Sequence, residues 1–230
     1  MQNLKSLEKE IGIDFRNIDL LKNAFIHRSY LNEHKDFKLH SNEKLEFLGD
    51  SVLSLITSVY LYRKYPQMQE GDYTEIKSSI VKTGSLALAA EELQLGNYLY
   101  LSKGEDASEG RNNKNILADC FEALIASIFI DQGFNKAYSF VVKFLFKDRL
   151  DVLIKKNLYA SSKSRLQEVA QARFKMVPVY KILEEKGPEH KRVFKVGVYL
   201  KGEKKGEGNG LSKKEAEEEA ASKALLEFAR

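Results

Sequence analysis

Apolar residues recur at helical spacing along the first part of the chain, give way to strand-like alternation, and return to helical spacing at the end. Leu4, Leu7 and Ile11, then Ile18, Leu21, Ala24 and Phe25, predict helix from Leu4 to about Tyr30, interrupted at Gly12-Ile13-Asp14. Polar residues 31–41 predict a loop, with Ser41 or Asn42 placed to cap the next helix. That helix runs to Lys64, ahead of Pro66, and Leu45, Leu48, Val52, Leu55 and Val59 line one side of it. After Glu70-Gly71-Asp72, a helix from Tyr73 to about Leu93 places Ile76, Ile80, Leu86 and Leu88 in the core, and Gly96-Asn97 close it. Residues 102–111 are polar and carry two glycines, but lack the Lys-Ser/Thr ending of a phosphate-binding P-loop, which predicts a mobile surface loop. An apolar helix covers Ile116–Ile130, Gly133 stops it, and a further helix spans Asn135 to about Lys156.

Past that point the period changes. Ser162–Phe174 is helical, with Leu166, Val169, Ala170 and Phe174 on one side. Residues 177–183 and 192–200 alternate as strands do, the second as Val193, Lys195 and Gly197 against Phe194, Val196 and Val198. Glycine-rich residues 202–210 supply a turn and a short third strand, and Leu211–Ala229 is a final helix. The chain therefore reads as an all-α domain, residues 1–155, a linker, 156–161, and a small α+β domain, 162–230. The order α-β-β-β-α lets both helices of the second domain cover one face of a single sheet.

With 230 residues, 43% hydrophobic and 30% charged, the composition is that of a globular protein long enough to bury a core. No apolar run approaches a membrane span, and the start lacks the apolar core of a signal peptide, so a cytoplasmic protein with no membrane partner is expected. Cys120 is the single cysteine, which excludes an internal disulfide, argues against a cysteine-based zinc site and reads as a small buried residue. The net charge of +4 is uneven: residues 160–230 hold 16 Lys and Arg against 11 Asp and Glu, while the remainder holds 21 against 22. A basic tail suits a polyanion, and the front keeps the acids.

Those acids are patterned. Glu43, Glu46 and Asp50 fall within about 60° of one another on their helix, away from the apolar side. Alone, they could be an ordinary solvated face. Gathered carboxylates repel, however, unless a divalent cation sits among them, and a second helix carries Asp119 and Glu122 one turn apart within an apolar run. His27, in His-Arg-Ser-Tyr at a helix end, could be a ligand or a general base; we take it as a hydrogen-bonded structural residue.

The final helix opens Ser212-Lys213-Lys214-Glu215, where Ser212 and Glu215 form a capping box. Two lysines in a first turn oppose the helix dipole, a penalty that an incoming phosphate reverses. With Gly187-Pro188-Glu189-His190 and the helix residues Gln167, Glu168 and Gln171, residues 160–230 resemble a double-stranded-RNA-binding domain. The resemblance implies that Ser164, Gln167, Glu168 and Gln171 meet one minor groove, His190 the next, and Lys213 and Lys214 the phosphates between them. Glu217 limits the basic patch of that turn to two lysines.

Asn42-Glu43-Lys44-Leu45-Glu46-Phe47-Leu48-Gly49-Asp50-Ser51-Val52-Leu53 and Asp119-Cys120-Phe121-Glu122-Ala123-Leu124 resemble the two acidic motifs of the ribonuclease III catalytic domain, over about residues 3–150. Glu75 and the ending Ile128–Gly133 depart from the family pattern without touching an acid of these motifs. The resemblance implies an all-α catalytic domain followed by a double-stranded-RNA-binding domain, a compact bacterial-type ribonuclease III. It assigns the metal site to Glu46, Asp50, Asp119 and Glu122, with Asp50 and Glu122 catalytic, and leaves Glu43 and Glu70 as accessory acids. Pairs at i, i+4 and i, i+3 can converge if their helices pack face to face, and hard oxygen ligands favour Mg²⁺, with Mn²⁺ a possible substitute. The activity implied is metal-dependent endonucleolytic hydrolysis of double-stranded RNA, as in the processing of ribosomal RNA precursors and structured messenger RNA. A homodimer is implied as well, and Phe47 is either an interface residue or core filling. Two rivals remain, a catalytically silent RNA-binding relative and an unrelated helical metallohydrolase; only four histidines, none in a ligand pair, weigh against the second.

Overall fold

The computed structural model describes residues 3–147, 149–156, 159–188 and 192–228. It divides into residues 1–156 and residues 157–230. The first unit is helical: α1 (Leu4–Ile11), α2 (Ile18–Asn23), α3 (Arg28–Glu33), α4 (Glu43–Lys64), α5 (Glu70–Ile80), α6 (Thr83–Glu92), α7 (Lys103–Ala107), α8 (Lys114–Gln132), α9 (Phe134–Val141) and α10 (Arg149–Lys155). Its centre is α8, which packs against α4, α6 and α9. Phe121, Leu124 and Ile125 are fully buried there, each contributing about 1.5–3 kcal/mol by leaving water. Ala118, Ala123 and Ala126 on α8 face burial on other sides, so the helix is apolar nearly all round.

Several predicted elements end elsewhere. The helix expected over Tyr73–Leu93 is two helices, because Lys82 is extended (φ −65°, ψ 150°) and opens α6; Glu70-Gly71-Asp72, expected ahead of the helix, is the first turn of α5, where Gln69 and Asp72 form a capping box. The expected mobile loop 102–111 contains α7, capped by Ser102, and a 3₁₀ turn, Gly110–Asn112. Arg111 fixes it by donating to Asp106 (2.7 Å) and to the carbonyls of Gly96 (2.9 Å) and Leu99 (3.0 Å). The helix expected from Asn135 to Lys156 is α9, a π turn over Val142–Phe146, and α10. Asn42 does not cap α4 with its side chain; its amide donates to the Ala24 carbonyl instead. Leu88, expected in the core, and Leu55, expected on the apolar side of α4, are exposed.

By length and composition α4 could cross a bilayer, with an 18-residue window of mean hydropathy 1.2. Leu45, Val52, Leu53, Ile56 and Leu61 are buried within the helical unit, the arrangement of a core helix. The large hydrophobic side chains that stay exposed on α4 form a separate stripe, Phe47, Leu55 and Tyr62.

The second unit contains α11 (Ser162–Phe174), β1 (Val179–Lys186), β2 (Val193–Leu200), β3 (Glu203–Gly210) and α12 (Lys213–Phe228), with an antiparallel sheet in the order β1-β2-β3. Leu166 and Ala170 of α11, Val198 and Leu200 of β2, and Ala220, Ala221 and Ala224 of α12 form its core, so both helices cover one face. The third strand is eight residues long rather than short. Its glycines let it lie against α12: a Cβ at Gly206 would lie 2.2 Å from the Ala220 carbonyl oxygen, and one at Gly208 2.3 Å from that of Ala216. Alternate glycines on β3 thus receive the alanine ridge of α12 at backbone contact.

Candidate active site

The approach of α4 to α8 turns on Gly49. A Cβ there would lie 2.0 Å from the Glu122 carbonyl oxygen, so only glycine lets the two backbones meet. Glu46 and Asp50 flank that point of contact on α4, while on α8 it falls at Glu122 itself, one turn from Asp119. The contact delivers Glu46, Asp119 and Glu122 to one place: a carboxylate oxygen from each lies within 4.8 Å of the others, and all three side chains are half-buried. Among the described residues, none of these carboxylates takes part in a hydrogen bond or ion pair.

Electrostatics follow from that geometry. Burial first, then the charges of Asp50, Asp119 and Glu46, push the Glu122 carboxyl up to about 8. Burial and the neighbouring Asp119, Glu43 and Asp50 raise Glu46. Burial also raises Asp119, with His27 opposing it. Three acids that resist losing their protons together are stabilised as carboxylates by a cation, and an all-oxygen donor set fits a hard divalent metal ion.

The other expected acids lie around this group. Asp50 is exposed and outside the trio, but its charge reaches both Glu46 and Glu122. Glu43 is at the rim, accepting from the Ser41 hydroxyl (2.7 Å), with Arg28 at 3.8 Å. Glu70 accepts from Thr74 (2.8 Å) in the first turn of α5 and is not part of the group. Phe47 points outward, 78% exposed, which removes the core-filling alternative.

His27 caps α3, its Nδ1 accepting from the Ser29 amide (3.3 Å). Its backbone is held by the Tyr100 carbonyl (3.1 Å) beside the short parallel bridge of Ile26 with Tyr100. The structural role expected for His27 is present, and the charge of Asp119 reaches its ring. Gly49 was missed by sequence reasoning; a glycine costing about 1 kcal/mol inside a long helix was the available signal.

On the second unit, Gln167, Glu168 and Gln171 form an exposed stripe on α11 with the half-buried Ser164, whose amide donates to the capping Ser161 hydroxyl (3.1 Å). Lys213 and Lys214 are exposed in the first turn of α12, with Lys213 3.9 Å from Glu185. Ser212 Oγ accepts from the Glu215 amide (3.2 Å), while the Glu215 carboxylate accepts from Leu211 (2.8 Å) rather than from Ser212. Glu217 pairs with Lys163. His190 lies outside the described residues.

Residues 17–149 match the family model described as Ribonuclease-III-like, and residues 162–227 match the double-stranded RNA binding motif. The chain is 43% identical over 228 residues to Ribonuclease 3 of Dehalococcoides mccartyi, covering 99% of this chain and 96% of that protein. It is 46% identical over 224 residues to Ribonuclease 3 of Chloroflexus aurantiacus, covering 96% and 90%. The chain belongs to the ribonuclease III family. Ribonuclease III enzymes are metal-dependent endonucleases of double-stranded RNA, and the half-buried acidic trio on α4 and α8 fits that requirement. Among solved structures, the nuclease domain of ribonuclease III from Campylobacter jejuni superposes with a TM-score of 0.59 at 33% identity, covering 64% of this chain and 99% of that one. In that relative, a structurally flexible region of the nuclease domain is involved in dimer formation.

Proposed function

We propose that the chain is a homodimeric, Mg²⁺-dependent endoribonuclease that hydrolyses phosphodiester bonds in double-stranded RNA. Its products carry 5′-phosphate and 3′-hydroxyl ends with short 3′ overhangs, and ribosomal RNA precursors and structured messenger RNA are its substrate class. The observation that carries this reading is the convergence of Glu46, Asp119 and Glu122 within 4.8 Å, in a chain whose second unit matches a double-stranded RNA binding motif. Glu46, Asp50, Asp119 and Glu122 hold the metal ion, Mn²⁺ being able to replace Mg²⁺. When bound, the ion supplies Lewis acidity toward phosphoryl oxygens and lowers the pKa of water.

The chain's own groups do the rest. Ionised carboxylates only accept hydrogen bonds, so Asp50 and Glu122 orient the attacking water. Cys120 is fully buried and its thiol is pushed up by burial, which removes it as a nucleophile. Ser164, Gln167, Glu168 and Gln171 take one minor groove, His190 the next, and Lys213 and Lys214 the intervening phosphates, so binding follows duplex shape rather than sequence. Each chain brings one set of acids and a duplex has two strands, so two chains act together. Dimer formation by the nuclease domain of the Campylobacter relative supports a paired arrangement, and the exposed stripe Phe47, Leu55 and Tyr62 on α4 is the dimer surface in this reading. Glu43 and Glu70 serve substrate or partner contacts.

End-labelled duplex RNA incubated with Mg²⁺, and again with chelator, tests the reading. Cleavage should require the metal, and Glu122→Gln should retain binding while losing at least about a hundredfold in rate, since an amide is a poorer metal ligand. Cleavage that persists in chelator, or equal loss of binding and cleavage in the variant, would overturn it.

A further inference from the structure

Beside the acidic trio lies a polar pocket that shares one acid with it. Its lining includes Asp119 itself, together with Arg28, Asn32, Glu105 and Asn115. Backbone bonds fix its frame. Ser29 Oγ accepts from the Ser102 amide (3.1 Å), and the Glu33 carboxylate accepts from the Lys103 amide (3.1 Å), tying α3 to α7. Asn113 Oδ1 accepts from the amides of Asn115 (2.9 Å) and Ile116 (3.4 Å), setting the first turn of α8. On this frame, the side-chain amides of Asn32 and Asn115 make no hydrogen bond among the described residues.

The lining selects a class of ligand. Glu105 and Asp119 face Arg28 and the His27 ring, so the pocket is of mixed charge and is not a basic cradle for a bare phosphate. Free amides, which both donate and accept, match a hydroxyl that does the same. The ribose 2′-hydroxyl is such a group, and it is what distinguishes RNA from DNA at a given position. Because Asp119 belongs both to the pocket and to the acidic trio, a sugar in the pocket lies next to the phosphate being cut.

Resting on the nuclease reading above, we infer that Asn32 and Asn115 bind the 2′-hydroxyl of a nucleotide adjoining the scissile phosphate. The catalytic unit thereby selects ribose on its own account, separately from the RNA-binding unit. Both asparagines are exposed, so their replacement spares the core.

The test uses the full chain and a duplex with one defined cleavage site, carrying single 2′-deoxy substitutions walked along the scissile strand. For the wild type, one position within a few nucleotides of the cut should lower kcat/KM by about tenfold, the size of one lost hydrogen bond to a site built for it. In the double variant Asn32→Ala with Asn115→Ala, the all-ribose duplex should already be slower, and that same deoxy substitution should cost less than about twofold, because the partner is gone. Circular dichroism melting of the variant checks its fold. A variant whose deoxy profile matches the wild type overturns the pocket assignment alone. A wild type that leaves the all-ribose duplex intact overturns the nuclease reading and this one with it.

Discussion

Burial and charge act hardest on Glu122, whose carboxyl, pushed up to about 8, keeps a proton where a free glutamate has lost it. The unfolded chain releases this proton near the ordinary value of 4.5 and the folded chain near 8, so between those values the folded state binds more protons. Stability without metal therefore falls as pH rises across that window. Thermal melts in chelator should show Tm declining from about pH 5 to about pH 8, Glu122→Gln should flatten the decline, and a divalent cation should oppose it. A variant with the same slope as the wild type would remove Glu122 as its source. Asp119 and Glu122 were legible because carboxylates inside an apolar helical run stand out by spacing alone. Their half-buried state and mutual repulsion were not, since those depend on what packs over α8.

Between elements, the decisive contact is Gly49 against Glu122. In an isolated helix, alanine is favoured over glycine by about 1 kcal/mol, so Gly49→Ala would be mildly stabilising if helix propensity governed. With a Cβ held 2.0 Å from a backbone oxygen, the helices must part instead. The expected outcome is a loss of about 1–3 kcal/mol by denaturant unfolding, with weakened metal binding because the trio is pulled apart. An unchanged Cm would show that α4 and α8 tolerate the spacing. The amphipathic pattern of α4 located the helix but not its buried side. Leu55 and Phe47 are as apolar as Leu53, and only the position of α8 decides which of them leaves water. At the other end of the chain, Lys213 and Lys214 sit where free amide groups and the helix dipole also favour an anion. Replacing both with alanine should weaken duplex binding and lessen the slope of log K against log salt by about 1–2. An unchanged slope would refute the phosphate contacts.

For the molecule as a whole, the α4 stripe bears on assembly. Phe47, Leu55 and Tyr62 are 78%, 54% and 74% exposed, a row of large side chains on the helix that also carries Glu46 and Asp50. Light scattering should give twice the chain mass for the wild type and the chain mass for Leu55→Glu with Tyr62→Glu; a wild-type monomer that cuts both strands would sink the paired arrangement. The α-β-β-β-α order of the second unit, the change of period near residue 160, the acids and the two lysines could all be read from the chain, because each depends on neighbours within a turn or two. Tertiary structure alone decided that Asp50 stands at the edge of the trio, that Asn32 and Asn115 border one pocket with Asp119, that residues 102–111 are pinned by Arg111, and that Gly206 and Gly208 admit the alanines of α12. Each of these is a contact between separate elements of the fold, where the spacing of side chains along one helix or strand carries no information about the distance to the next.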